Sequence, residues 1–172
     1  MAATIRRFVE CESPSDDAAA VSRFVELVSD TVAPFAKVKT YPGGKFGRLL
    51  VAEMQLPGRR KSGQVLALGH SDTVWPVGTL RSMPFRQMDG RLWGPGVLDM
   101  KAGIVFFLFA VRALRELGIA VGSKVLLQLN PDEEVGSEVS RPLRNRHRRA
   151  TRGPSPPRGN RPPLCALSST CR

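Results

Sequence analysis

Hydrophobic positions along the first 143 residues switch repeatedly between helical and strand periodicity. Ile5, Phe8 and Val9 fall at helical spacing within 4–10. Val21, Phe24, Val25, Val28 and Val32 recur at i, i+3, i+4, i+7 and i+11, one face of an amphipathic helix ending near Pro34. Its start is predicted at Ser13-Pro14-Ser15-Asp16, a capping box with proline at the first helical position. Residues 35–41 and 47–55 predict strands separated by Pro42-Gly43-Gly44. Residues 64–70 and 124–130 are continuous apolar runs of strand length, and 86–93 predicts a hairpin about Asp89-Gly90. Residues 101–117 predict a helix with Gly118 as its stop. Helices alternating with apolar strands imply an α/β fold whose sheet is covered on both faces.

After Arg141 this pattern stops. Residues 144–172 hold eight Arg and five Pro, with no Ile, Val, Lys, Phe, Tyr or Trp, and no periodicity survives. Such a segment buries too little apolar area to offset its ordering entropy, so disorder is predicted from residue 144. The expected division is a domain over 1–143 and an Arg/Pro-rich tail over 144–172. The net charge of +11 divides the same way, since the tail has no Asp or Glu and carries +8, leaving +3 for the body. The high pI therefore belongs to the tail and is no nucleic-acid footprint of the body. The tail alone supports the alternative of a nucleic-acid binder, its arginines neutralising phosphates, though it has no aromatic residue for base stacking. Cys11, Cys165 and Cys171 are odd in number and lack metal-type spacing, which favours a reducing compartment. No secretory signal is visible, and the longest apolar run, 104–111, is too short to cross a bilayer. A cytoplasmic body without a membrane anchor is expected.

Three polar tips sit where predicted elements end. In 66–74 (LALGHSDTV), His70 and Asp72 lie two apart at a strand end, where alternation lets both face one site. Imidazole and carboxylate there suit a metal ligand and the group that orients it, or an ordinary surface turn. In 93–103 (WGPGVLDMKAG), Asp99 follows two glycines and precedes a helix. A carboxylate there can bridge two cations or serve as an N-cap. In 125–138, Asp132, Glu133 and Glu134 end a strand, as a solvated acidic turn or as carboxylates offset by a cation. Neighbouring side chains on extended backbone diverge, so one of Glu133 and Glu134 can bind metal while the other moves a proton. The agreement of all three tips favours a two-metal hydrolase site, since open α/β sheets place their sites at strand ends.

GHSDTV, WGPGVLDMKAG and NPDEEVGS, in this order and spacing, resemble the co-catalytic zinc carboxypeptidases. That family includes glutamate carboxypeptidase (carboxypeptidase G), acetylornithine deacetylase, succinyl-diaminopimelate desuccinylase and aminoacylase. The resemblance runs from about Ile5 to Leu143, and Trp75 together with the NPDEE form leans toward the carboxypeptidase G branch. It implies the N-terminal part of a three-layer zinc-peptidase catalytic domain, a mixed sheet with helices on both faces. It also implies metal-dependent hydrolysis of amide bonds next to a free carboxylate, in small molecules or peptides. His70 would bind one Zn2+ ion, Glu134 the other, and Asp99 would bridge them, with Co2+ an alternative metal. Glu133 would be the general base, and Asp72 would orient His70.

The same resemblance marks departures. The family's next ligand is acidic and lies about two dozen residues past Glu134, where Arg158 stands here. Its last ligand is a histidine beyond residue 172, and His147 is too close to Glu134 to replace it. The domain through which family members form homodimers is also absent. The chain thus reads as truncated after about residue 143. A GC-rich gene read out of frame would account for the tail's composition. Whether so short a chain keeps activity, or acts only as an interaction fragment, stays open on the sequence alone.

Overall fold

The computed structural model describes residues 1–59 and 61–151. Helix α1 (Ala2–Glu10) and helix α2 (Ala18–Val32) precede strands β1 (Ala36–Pro42), β2 (Arg48–Met54) and β3 (Gln64–His70). A hairpin, β4 (Arg86–Met88) and β5 (Arg91–Trp93), leads to α3 (Ala102–Glu116), β6 (Lys124–Asn130) and α4 (Arg141–Thr151). The main sheet has the order β1-β2-β6-β3. β1 pairs antiparallel with β2, and β2 with β6. β3 and β6 run parallel with His70 opposite Asn130. Parallel neighbours need a long crossover, here the hairpin and α3, and their C-terminal ends then emerge on one side of the sheet.

Alternation along the strands builds the core. Leu50, Ala52 and Met54 join Val125, Leu127 and Leu129 in one buried cluster with Phe8, Phe24, Val28, Ile104 and Leu108 from the three helices. Phe8 and Phe24 meet edge to face, 5.4 Å between ring centroids, an arrangement that ring quadrupoles favour. The fold is a mixed α/β layer, as the periodicity implies. Coverage of the second face is partial: Val51, Leu126 and Gln128 are buried there, whereas Lys37, Lys39 and Leu68 are exposed. Among the described residues β3 is an edge strand, and Val65 is exposed beside its unpaired side.

Two local expectations fail, each for a tertiary reason. α2 starts four residues late: Asp17 is its N-cap, with a carboxylate oxygen accepting from Ala20 N at 2.8 Å. Residues 13–15 run extended beside Thr73 instead. Thr73 N donates to Ser13 O at 2.8 Å and Ser15 N to Thr73 O at 3.1 Å. Those long-range bonds override the capping signal. The second failure is the disorder expected from residue 144, because α4 extends to Thr151. Asp132 Oδ2 accepts Val139 N and Ser140 N just before its start. Gln64 Nε2 donates to His147 O at 3.1 Å, and His147 Nδ1 lies 2.8 Å from Gln128 Oε1. Docking on the sheet supplies what this arginine-rich segment lacks in apolar area. The remainder of the expected tail, 152–172, lies outside the described residues. No helix among the described residues is long and apolar enough to cross a membrane.

Candidate metal centre

Three elements each deliver one residue of a group that could hold a metal ion. His70 is the last residue of β3, and Glu134 follows the end of its parallel neighbour β6. Asp99 lies in the turn 97–101 ahead of α3, in extended conformation (φ −119°, ψ 98°). That turn opens on Gly96 at φ +67°, where a Cβ would meet Thr73 Cγ2 at 2.9 Å. Only glycine lets the backbone turn here against the loop after β3. Asp99 makes no capping bond to α3, so its N-cap reading is set aside. Instead its Oδ1 sits 2.9 Å from His70 Nε2. Ligand atoms of His70, Asp99 and Glu134 all lie within 4.8 Å of one another. The Asp99 side chain remains 71% exposed, so the cluster opens to solvent.

Asp72 joins these elements. Its side chain, 1% exposed, uses both oxygens: Oδ1 accepts Glu133 N at 3.2 Å, and Oδ2 accepts Glu134 N at 3.1 Å and Ser15 Oγ at 2.8 Å. Its main-chain oxygen takes the His70 Nδ1 proton at 2.9 Å, with Oδ1 at 3.4 Å from the same nitrogen. Burial alone would raise the Asp72 carboxyl, but hydrogen bonds from His70, Ser15 and the two amides outweigh it and hold the pKa below the ordinary value. Burial likewise depresses His70, yet its bonds to Asp72 and Asp99 prevail and push it up to about 9. Glu134 is raised, first by burial and then by the carboxylates of Asp99, Asp72 and Glu133, against the pull of His70.

The acidic triplet divides three ways. Asp132 is buried and organises the loop, its main-chain oxygen accepting Ser137 N at 2.7 Å besides the side-chain bonds at α4. Glu133 is exposed and lends Asp72 its amide; Glu134 joins the cluster. His147 sits on the far face of the sheet with Gln128, apart from the three ligands.

Sequence reasoning missed the strut that braces this arrangement. Lys101 is 2% exposed, its Nζ donating to Cys11 O at 2.6 Å and standing 4.4 Å from the Phe24 ring centroid. Burial lowers its pKa to about 8 against the opposing pull of Cys11 and Glu12. Glu12 accepts the amides of Gly78 (2.7 Å) and Leu80 (2.9 Å). Together they clamp residues 11–15 against the loop after β3 and deliver the Ser15 hydroxyl to Asp72. A lysine beside an apolar helix reads as a solubilising residue, and no spacing signal marks Ser15.

One imidazole and two carboxylates fit zinc and related divalent ions in donor type. A cation would offset both the burial and the neighbouring carboxylates that raise Glu134.

The profile of Peptidase family M20/M25/M40 matches residues 66–155, which include His70, Asp99 and Glu134. Carboxypeptidase G2 from Pseudomonas sp. (strain RS-16) is 29% identical over 143 residues, covering 81% of this chain and 34% of that protein. Succinyl-diaminopimelate desuccinylase from Gluconacetobacter diazotrophicus is 42% identical over 69 residues, 38% of this chain and 18% of the relative. In fold, the chain resembles human carnosine dipeptidase 1 with a TM-score of 0.72 at 22% identity, over 87% of this chain and 36% of that one. It spans about a third of carboxypeptidase G2 and of the dipeptidase. With more than half of its length inside the profile, the chain belongs to peptidase family M20/M25/M40.

Proposed function

We propose that this chain carries the metal-binding part of a hydrolase that cuts amide bonds next to a free carboxylate. The observation that carries the reading is the convergence of His70, Asp99 and Glu134 from three elements onto one solvent-facing point. The names of its relatives, a carboxypeptidase, a desuccinylase and a dipeptidase, agree with amide substrates of this class. His70 and Glu134 would each hold one zinc ion and Asp99 would hold both. Bound zinc supplies Lewis-acid polarisation of the amide carbonyl and a more acidic water. Glu133, exposed beside the cluster, takes a proton from the attacking water and returns it to the leaving amine. Asp72 would keep the His70 ring turned so that Nε2 could face the cation.

Zinc uptake and turnover test these roles separately. The full chain is dialysed against zinc and its bound metal measured, alone and as His70→Ala and Glu134→Ala. Each substitution is expected to lower the stoichiometry. Glu133→Gln should keep the metal and abolish hydrolysis on a panel of N-acyl amino acids and dipeptides. Equal zinc uptake by all the proteins removes the assigned centre.

A further inference from the structure

Beside Glu134 lies a cavity of about 270 Å³ that none of the roles above uses. Pro14 and Thr73, both buried, line it along with Phe46, Val74 and Val135. Its parts come from the strut, the turn before β2 and the loops after β3 and β6. The Ser13–Thr73 and Ser15–Asp72 bonds that brace the ligands therefore also fix the cavity against Glu134. Val74 is 64% exposed and Val135 50% exposed. These apolar side chains offer contacts that an apolar group, and not a charged one, gains by covering. The volume lies below the roughly 300–1,000 Å³ of sites that enclose a whole ligand, so it suits a single side chain. Charge narrows the choice further. Among the described residues that line it, Asp16 and Glu134 are the charged ones, and none is a lysine, arginine or histidine that could pair with an anion.

We propose that this cavity receives an apolar side chain or acyl group flanking the scissile amide and turns away acidic ones. The proposal rests on the metal-centre reading, because Glu134 connects the cavity to the reaction site. It separates this chain from a preference for acidic groups at this position, whatever carboxylate is recognised elsewhere.

Hydroxamates that differ only beyond their metal-binding group test it on the zinc-loaded full chain by titration calorimetry. Acetohydroxamate reports the metal centre alone, benzohydroxamate adds an apolar ring, and glutaric monohydroxamate adds a carboxylate. Burying the ring should make benzohydroxamate at least about tenfold tighter than acetohydroxamate. The glutaric compound should gain nothing. Val74→Asp and Phe46→Ala, one adding charge and one removing apolar surface, should each bring the benzo-to-aceto ratio toward one. Zinc-dependent binding of both compounds with equal affinity overturns the cavity's role and leaves the metal centre standing. The same holds for a ratio that neither variant changes, since the ring then binds elsewhere or another chain segment covers the cavity. Failure of acetohydroxamate to bind at all overturns the metal-centre reading and this proposal together.

Discussion

Asp72→Asn replaces the carboxylate that ties the three ligand-bearing elements together while leaving its shape intact. In the native chain both oxygens accept a main-chain amide, Oδ1 from Glu133 and Oδ2 from Glu134, and Oδ2 also accepts Ser15 Oγ. Asparagine offers one acceptor oxygen. Whichever way its amide turns, an NH2 group faces one of those main-chain N–H donors. A buried donor left without an acceptor costs about 1–3 kcal/mol. The variant also removes the negative charge that helps hold His70 protonated. We expect a loss of about 2–4 kcal/mol in urea unfolding with excess EDTA, the upper part reflecting the weakened His70 contact. Removing a partner that orients a ligand weakens metal binding by roughly 10–100-fold. Competition against a chromophoric zinc chelator reads that term independently of stability. Amides of residues 133 and 134 should also exchange faster with solvent. A variant that loses stability but binds zinc as tightly as the native chain refutes the linking role and leaves Asp72 a packing residue. A variant unchanged in both refutes the hydrogen-bond reasoning itself.

Ser15→Ala deletes the hydroxyl that donates to Asp72 Oδ2 at 2.8 Å and lies 3.4 Å from Thr73 O, so it should cost about 1–2 kcal/mol and weaken zinc binding less than Asp72→Asn does; Ser15→Thr, which keeps the hydroxyl, should restore the affinity. In metal-free protein, His70 has its pKa raised from 6.5 to about 9. Its stabilisation is therefore complete below pH 6.5 and lost as pH rises through 9. The loss is at most roughly 3 kcal/mol, less because the exposed Asp99 contact is screened. Urea midpoints measured across that window with EDTA present should fall, while zinc affinity rises over the same range as the competing proton leaves. A flat midpoint would show that His70 gains no proton from the fold. Gly96→Ala forces a Cβ toward Thr73 Cγ2 at φ +67° and should cost about 1–2 kcal/mol. The shift it imposes on the turn holding Asp99 should lower zinc affinity as well. Thermal denaturation and chelator competition on one preparation check both.

The main elements were legible because apolar spacing alone governs them. β3 and β6 match the predicted 64–70 and 124–130 in full, although Val65 and Leu68 of β3 are exposed. The three polar tips were legible for a related reason: two follow the ends of such strands and the third, Asp99, stands at a helix entry, and parallel pairing brings the two strand ends to one side. The braces between the tips left no trace in periodicity. Ser15 meets Asp72 across 57 residues of chain, and Lys101 meets Cys11 across 90. α4 escaped notice because composition describes what a segment can bury on its own. A preformed sheet face offering Gln64 and Gln128 to His147 changes what that segment gains by folding. The capping box failed through the same blindness. Ser13 and Ser15 carry the right side chains for a helix start, yet Thr73 claims their main chain.

These braces determine how the centre is organised. Asp72 fixes its neighbours through their main-chain amides and through the Nδ1 side of His70, leaving Nε2 and the carboxylates of Asp99 and Glu134 turned toward one point. None of the bonds that position the Glu134 backbone uses the Glu134 carboxylate. The main chain thus holds the Glu134 carboxyl partly out of water and beside other carboxylates, and burial first, then Asp99, Asp72 and Glu133, raise its pKa. Such an arrangement stores its electrostatic cost in the fold before any cation arrives, so a divalent ion meets ligands that need little reorganisation. Pre-placement explains why the connecting residues are buried and the ligand carboxylates are not. Asp72, Ser15 and Lys101 gain strength from exclusion of water, whereas the Asp99 carboxylate lies open to solvent, where a metal ion could reach it. How firmly residues 11–15 hold Asp72 then sets how little His70 and Glu134 would have to move on binding an ion.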